Sequence, residues 1–307
     1  MGQPPEEACR SCLLATSLAR EMGLKEGDVG DVYYATLLQH VGCTAYAHET
    51  AAVFGGDDIA VRAAGARTDF AKPTEMLSFL LEVGRNAGPL GPVRTMIVAM
   101  SKGQKFGGEL ARANCEVAVR VSQRLGLGPG VQRGLNEIQE SWDGKGDPRK
   151  LAREDIALPA RFAQVASQAV LFGRLGGPDL AVEMVRRRAG TALDPSIADA
   201  FLSYGRELLV EIASADASVA VIESEPEPHR WITESRLDEV ARAFADLVDL
   251  KSPYMQGHSA GVSELAEAAA TNLGFTEDDT IRVRRAGLLH DLGRTGVPNG
   301  IWASPAR

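Results

Sequence analysis

An all-α fold is what this sequence predicts, and three observations predict it. Aromatic residues make up 6% of the chain while Ala, Leu and Val abound, a balance that suits packed helices better than a sheet of β-branched and aromatic side chains. Apolar residues recur at helical spacing in segment after segment, with glycines where helices would stop. The third observation is an internal correspondence. Slid by 251 positions, residues 7–44 align with 258–295 without a gap, pairing Leu14 with Leu265, Gly23 with Gly274, Asp28 with Asp279, Leu37 with Leu288, Gly42 with Gly293 and Thr44 with Thr295. The expectation is a helical bundle present as a tandem duplication.

Taken in order, each copy reads as an amphipathic helix ended by a glycine, Gly23 or Gly274, then an acidic capping turn, then a second apolar helix ended by Gly42 or Gly293. Between the copies, helical spacing runs over 70–85, 93–102, 109–125, 129–140, 158–172, 179–188 and 195–212, which completes a large helical unit over residues 1–213. Residues 214–232 break the pattern. Their stretch Glu223-Ser224-Glu225-Pro226-Glu227-Pro228-His229 carries charge and two prolines, as an exposed linker does. Thr233 and Ser235 are placed to cap a helix over 236–250, which opens a second unit over 233–307.

Composition narrows the function. With 33 basic and 41 acidic residues the net charge is −8, so the general field repels nucleic-acid phosphates and direct nucleic-acid binding is not expected. An anionic ligand stays open, because bound ions and local arginines dominate the field inside a pocket. Of the four cysteines, Cys9 and Cys12 form a CxxC pair without a second pair, and with Cys43 and Cys115 they read as packing residues of a reducing compartment. The N-terminus lacks a basic and apolar leader, and no run of about 18 apolar residues occurs, so a cytoplasmic protein without a membrane segment is expected.

The chemistry-bearing stretch is His258-Ser259 with Leu288-Leu289-His290-Asp291-Leu292-Gly293-Arg294. Imidazole nitrogen beside carboxylate oxygen suits a divalent first-row transition metal, and an Asp can bridge two ions. His258 begins one expected helix and His290-Asp291 ends its partner, so antiparallel packing brings the three together. The other copy has Glu7, Gln39, His40 and Cys43 where this one has His258, His290, Asp291 and Arg294. That first copy has lost the ligand pattern, although His40, Cys43, His48 and Glu49 still include metal-binding residue types.

Two regions resemble the HD-GYP family, a branch of the HD superfamily of metal-dependent phosphohydrolases. One is Tyr254-Met255-Gln256-Gly257-His258-Ser259 together with Ala286 to Arg294 and Val297-Pro298, similar to the family's first two metal-binding motifs in order and spacing. The other is Glu140 to Pro148, Ile156 to Phe162 and Arg188 to Pro195, similar to its later motifs. The resemblance implies that His258, His290 and Asp291 are metal ligands, and that Arg294 stands at the place of a catalytic lysine. Arg keeps that charge while changing its geometry. Tyr254 stands where some members carry a third-metal glutamate, which implies two ions, iron or manganese. In the first copy Ile138-Gln139, Ser167 and Asn114 replace later ligands, and Asp147 replaces the tyrosine of the Gly-Tyr-Pro element, so a degenerate unit is implied.

The resemblance implies hydrolysis of cyclic diguanylate or another phosphoester when the site is complete, with Asp291 bridging the ions and Arg294 steadying phosphoryl oxygens. The sequence runs only to Arg307, so the second copy is expected to be incomplete and the polypeptide inactive as it stands. The alternatives are a regulatory pseudoenzyme and a helical dimerisation scaffold. An incomplete second copy also predicts an apolar face on 258–274 and 281–293, to be covered by the first unit or by self-association into a homodimer.

Overall fold

The computed structural model describes Gly2, residues 6–86 and residues 91–302. It is built of helices, as the low aromatic and high Ala and Leu content predicts, and among the described residues the extended pairing is limited to one bridge between Ala189 and Leu193. The order is α1 (Glu7–Glu21), α2 (Glu26–Leu37), α3 (Ala47–Phe54), α4 (Asp58–Arg67), α5 (Pro73–Asn86), α6 (Gly91–Arg124), α7 (Pro129–Asn136), α8 (Leu158–Arg188), α9 (Pro195–Ser214) and α10 (Ala217–Glu223). It continues through α11 (Leu237–Asp249), α12 (His258–Asn272), α13 (Glu277–Leu289) and the short α14 (Asn299–Trp302). Among the described residues no helix is long and apolar enough to cross a membrane.

The main core lies where α1, α2, α8 and α9 converge, around Leu14, Leu18, Val32, Phe162, Ile197 and Phe201, each fully buried. Within α9, Gly205 makes room for the ring of Phe201 one turn earlier, which would lie 2.0 Å from any Cβ placed there. Asp194 starts α9 by accepting Ser196 N–H at 2.8 Å, and Arg161 pairs with the same carboxylate at 2.8 Å.

The 251-position correspondence reappears in the backbone. α1 and α12 have the same limits at that offset, α2 and α13 the same start, and the 3₁₀ turns Val41–Thr44 and Leu292–Gly296 the same start. The residues before α1 and α12, Glu6 and Gly257, both have left-handed backbones, with φ of 68° and 75°. Gly23 and Gly274 end the first helix of each pair at φ 73° and 78°, as their sequence positions predict.

Other expectations are corrected. Gly42 and Gly293 do not stop the second helices, which end at Leu37 and Leu289 before a 3₁₀ turn. Gly42 is needed instead for close approach, since a Cβ there would lie 1.9 Å from the Asn114 carbonyl oxygen. The separate segments 93–102 and 109–125 form one helix, α6, in which Phe106 packs edge-on to Tyr46 and Phe54. Phe106 is half-buried there, in a stretch where Gly103, Gly107 and Gly108 each cost roughly 1 kcal/mol of helix propensity. The expected pair 158–172 and 179–188 is present with its break at Gly176 and Gly177, whose backbone leaves the helical region just before Pro178.

Part of 214–232 is folded as α10, which Asp216 caps through Ser218 and Val219 N–H, and whose Val221 carbonyl accepts the Tyr33 hydroxyl at 2.7 Å. Thr233 and Ser235 bond each other at 3.0 Å and do not cap α11; a 3₁₀ turn at Glu234–Arg236 leads into it instead. On α12 and just after it, Leu265 and Leu273 are 74% and 75% exposed and Phe275 is 49% exposed. Phe201→Ala is expected to lower unfolding stability by about 3–5 kcal/mol, read as a lower urea midpoint; a loss under about 1 kcal/mol would show that the four-helix junction is not the stability core.

Candidate functional site

The site forms where α12 begins and α13 ends. α12 and α13 pack together as an antiparallel pair, so the first residue of one, His258, meets the residues just past the end of the other, His290 and Asp291. One ligand atom from each of the three lies within 4.8 Å of the others. Asp291 Oδ2 is 3.3 Å from His258 Nε2 and 3.1 Å from His290 Nε2, and the two rings tilt at 49° with centroids 5.3 Å apart. Arg294, one turn on, places Nη1 against the same oxygen. The four residues that the sequence singles out are therefore brought together.

Backbone contacts fix this arrangement. Nδ1 of His290 donates to the Gly287 carbonyl at 2.8 Å, which leaves Nε2 of that ring to face Asp291. Asp249, at the end of α11, accepts Ser259 N–H at 3.0 Å and Ser259 Oγ–H at 2.7 Å, so it caps α12 beside His258. Both residues of that cap are buried. Gly287 is required for the helix approach, as its Cβ would lie 2.8 Å from Ser263 Cα. Arg294 also touches Met255 Sδ at 3.6 Å and stacks on Trp302 with its guanidinium carbon 4.5 Å from the ring centre.

The donor set fits a divalent metal. His258 Nε2 is buried and has no hydrogen-bond partner, a condition that costs about 1–3 kcal/mol unless something else satisfies it; Asp291 Oδ2, also without a hydrogen bond, has its charge met in part by the Arg294 guanidinium. Two imidazole nitrogens and a carboxylate oxygen are the ligand types that would hold such an ion, which supplies positive charge to a phosphate oxygen and acidifies water. Among the described residues this is the one group of His, Cys, Asp and Glu side chains at metal-ligand spacing. Tyr254 is 90% exposed and stays outside it.

Sequence reasoning missed Asp249, Lys251 and Trp302, and quoted Met255 within a motif without giving it a role. Asp249 reaches across ten positions to Ser259, and Trp302 reaches Arg294 after an intervening turn, so no local period marks either. The nearest signal was Asp249 and Lys251 themselves, charged residues closing a strongly amphipathic helix.

In the matching position of the first copy, Glu7 and His40 meet at 3.8 Å between Oε1 and Nε2, with Glu7 only 2% exposed and its Oε2 lacking a hydrogen-bond partner. Cys43 lies beside His40 and Arg62. Burial opposes charge on the thiol, but His40 and Arg62 outweigh it and bring the Cys43 thiol down to about 7. Burial likewise opposes charge on the imidazole, but Cys43 and Glu7 raise His40 to about 9. His48 and Glu49, on α3, do not join a metal-spaced group with this pair.

Comparison with known proteins places these features. Residues 242–307 match the HD domain family. The chain is 27% identical over 310 residues to 3′3′-cGAMP-specific phosphodiesterase 3 of Vibrio cholerae serotype O1, an alignment covering 100% of this chain and 67% of that protein. It also resembles the crystal structure of a cyclic GMP-AMP specific phosphodiesterase of V. cholerae, with a TM-score of 0.73 and 25% identity, over 100% of this chain and 70% of the other. The segment that carries His258, His290, Asp291 and Arg294 therefore lies within the stretch that matches the HD domain family.

Proposed function

We propose that the centre formed by His258, His290 and Asp291 binds a divalent transition metal, iron or manganese, and serves hydrolysis of a phosphodiester bond in a cyclic dinucleotide. The observation that carries this reading is the convergence of three ligand atoms within 4.8 Å, two of them buried without a hydrogen-bond partner. The substrate class is supported by the V. cholerae relative named for 3′3′-cGAMP. Cyclic diguanylate, the substrate implied by the motifs alone, is the second candidate of the same class. In the reaction, water adds OH to phosphorus, one P–O bond of the ring breaks, and the leaving oxygen takes the proton, giving a linear dinucleotide. Arg294 is placed to steady phosphoryl oxygens once it leaves the Asp291 carboxylate.

We further infer that the N-terminal unit is a degenerate copy of the same design. Its support is the shared helix limits at an offset of 251 and the replacement of His258, His290, Asp291 and Arg294 by Glu7, Gln39, His40 and Cys43. Arg62, beside Cys43, disfavours a cation there. A complete site holding two ions needs more ligands than His258, His290 and Asp291 supply, so turnover by these residues alone is expected to stay near background.

Two measurements check these readings. Equilibrium binding of Mn²⁺ to the chain is expected to weaken at least about tenfold in Asp291→Ala; undetectable binding in the unsubstituted chain, or equal binding by the variant, contradicts the metal reading. Alkylation of Cys43 by iodoacetamide is expected to rise through a midpoint near pH 7, because the thiolate forms above that pH. Cys9, Cys12 and Cys115, whose thiols are all raised, should stay slow at pH 8. A Cys43 midpoint at or above 8.5, unchanged in His40→Ala, contradicts the thiol–imidazole pairing.

A further inference from the structure

We propose that Asp58, on the N-terminal helices, is a positioning residue for the His258–His290–Asp291 centre, acting through the segment from Thr295 to Trp302. The inference deepens the reading above and rests on it only for the metal; the positioning itself stands on contacts. Asp58, Lys251 and Asn299 are 2%, 5% and 3% exposed, and charges so deeply buried persist in folded proteins when they are paired and hydrogen-bonded. Asp58 Oδ1 accepts Asn299 N–H at 2.7 Å, Asp58 Oδ2 lies 3.8 Å from Lys251 Nζ, and Asn299 Nδ2 donates to the Lys251 carbonyl at 2.8 Å. One carboxylate of α4 thus ties together the loop after α11 and the start of α14.

Two routes lead from this knot to the centre. In the first, Lys251 Nζ donates to the Thr295 carbonyl at 3.3 Å, and Thr295 belongs to the 3₁₀ turn that carries Arg294. In the second, Gly300 N–H donates to the Gly56 carbonyl at 2.6 Å, which docks α14 on the turn before α4. That approach admits no side chain: a Cβ on Gly300 would lie 2.7 Å from the Gly56 oxygen, and Gly56 has φ +104°. Trp302, two residues on, stacks under the Arg294 guanidinium, which rests on Asp291 Oδ2. The same loop supports the other side of the centre, because Asp249, two residues before Lys251, caps α12 beside His258.

A packing contact and a positioning contact differ in how far a perturbation travels. Amide hydrogen exchange of the full chain, followed by mass spectrometry without added metal, measures that distance for Asp58→Ala. Exchange over 289–296 is expected to accelerate by about tenfold or more while α1 and α8 stay protected. Acceleration confined to 298–302, or none at all, overturns the proposal. If Asp58→Ala loosens the whole chain, Trp302→Ala decides: its ring is 46% exposed, and faster exchange over 289–296 supports the second route, whereas unchanged exchange overturns it. With Co²⁺ as a probe, the visible bands of the bound ion are expected to shift in Asp58→Ala, and unshifted bands count against positioning. Failure of the unsubstituted chain to bind Co²⁺ or Mn²⁺ would refute the metal reading and leave the exchange result standing.

Discussion

One carboxylate oxygen organises the C-terminal part of this protein. Asp291 Oδ2 faces His258 Nε2, His290 Nε2 and the Arg294 guanidinium, yet has no hydrogen bond of its own. A buried acceptor left this way is costly in a folded chain unless a hydrogen-bond donor or positive charge satisfies it. Arg294 supplies part of that charge, and a divalent ion between the two imidazoles would supply more. The local sequence follows from that requirement: a helix must begin at His258, another must end before His290, and a tight turn must bring Arg294 back over Asp291.

The rest of the molecule keeps these three chain positions in register. Gly287 lets α13 approach α12, Asp249 fixes the first turn of α12, and the Gly287 carbonyl fixes the His290 ring. The N-terminal helices contribute a small buried polar knot of Asp58, Lys251 and Asn299. Ion pairing between Arg124 and Asp246 and the bond from Arg236 to the Arg124 carbonyl add a second attachment at the end of α6. Precise polar contacts of this kind specify orientation more than they add stability.

The parts of the account legible in the sequence are those with a local signature. His258 and His290-Asp291 could be placed at a helix start and a helix end because Gly274 and the apolar spacing mark the elements between them, and the structure joins them there. The match of residues 7–44 to 258–295 foretold the shared limits of α1 and α12 and the shared start of α2 and α13, because backbone propensity and capping act over a few residues. Illegible were the contacts that span distance: Asp249 to Ser259, Asp58 to Asn299, Trp302 to Arg294. Gly42 was misread for the same reason. A glycine can end a helix or admit a neighbour, and only the Asn114 carbonyl, far along the chain, decides which. In α6, likewise, Phe106 packs on Tyr46 and Phe54, contacts that no short window contains.

The most direct test of the central claim is X-ray absorption of the Mn²⁺-loaded chain, which resolves imidazole scattering around the ion. The account predicts two imidazoles and carboxylate oxygen in the unsubstituted chain, falling to one imidazole in His258→Ala. An all-oxygen environment, or an imidazole count unchanged by that substitution, would contradict it.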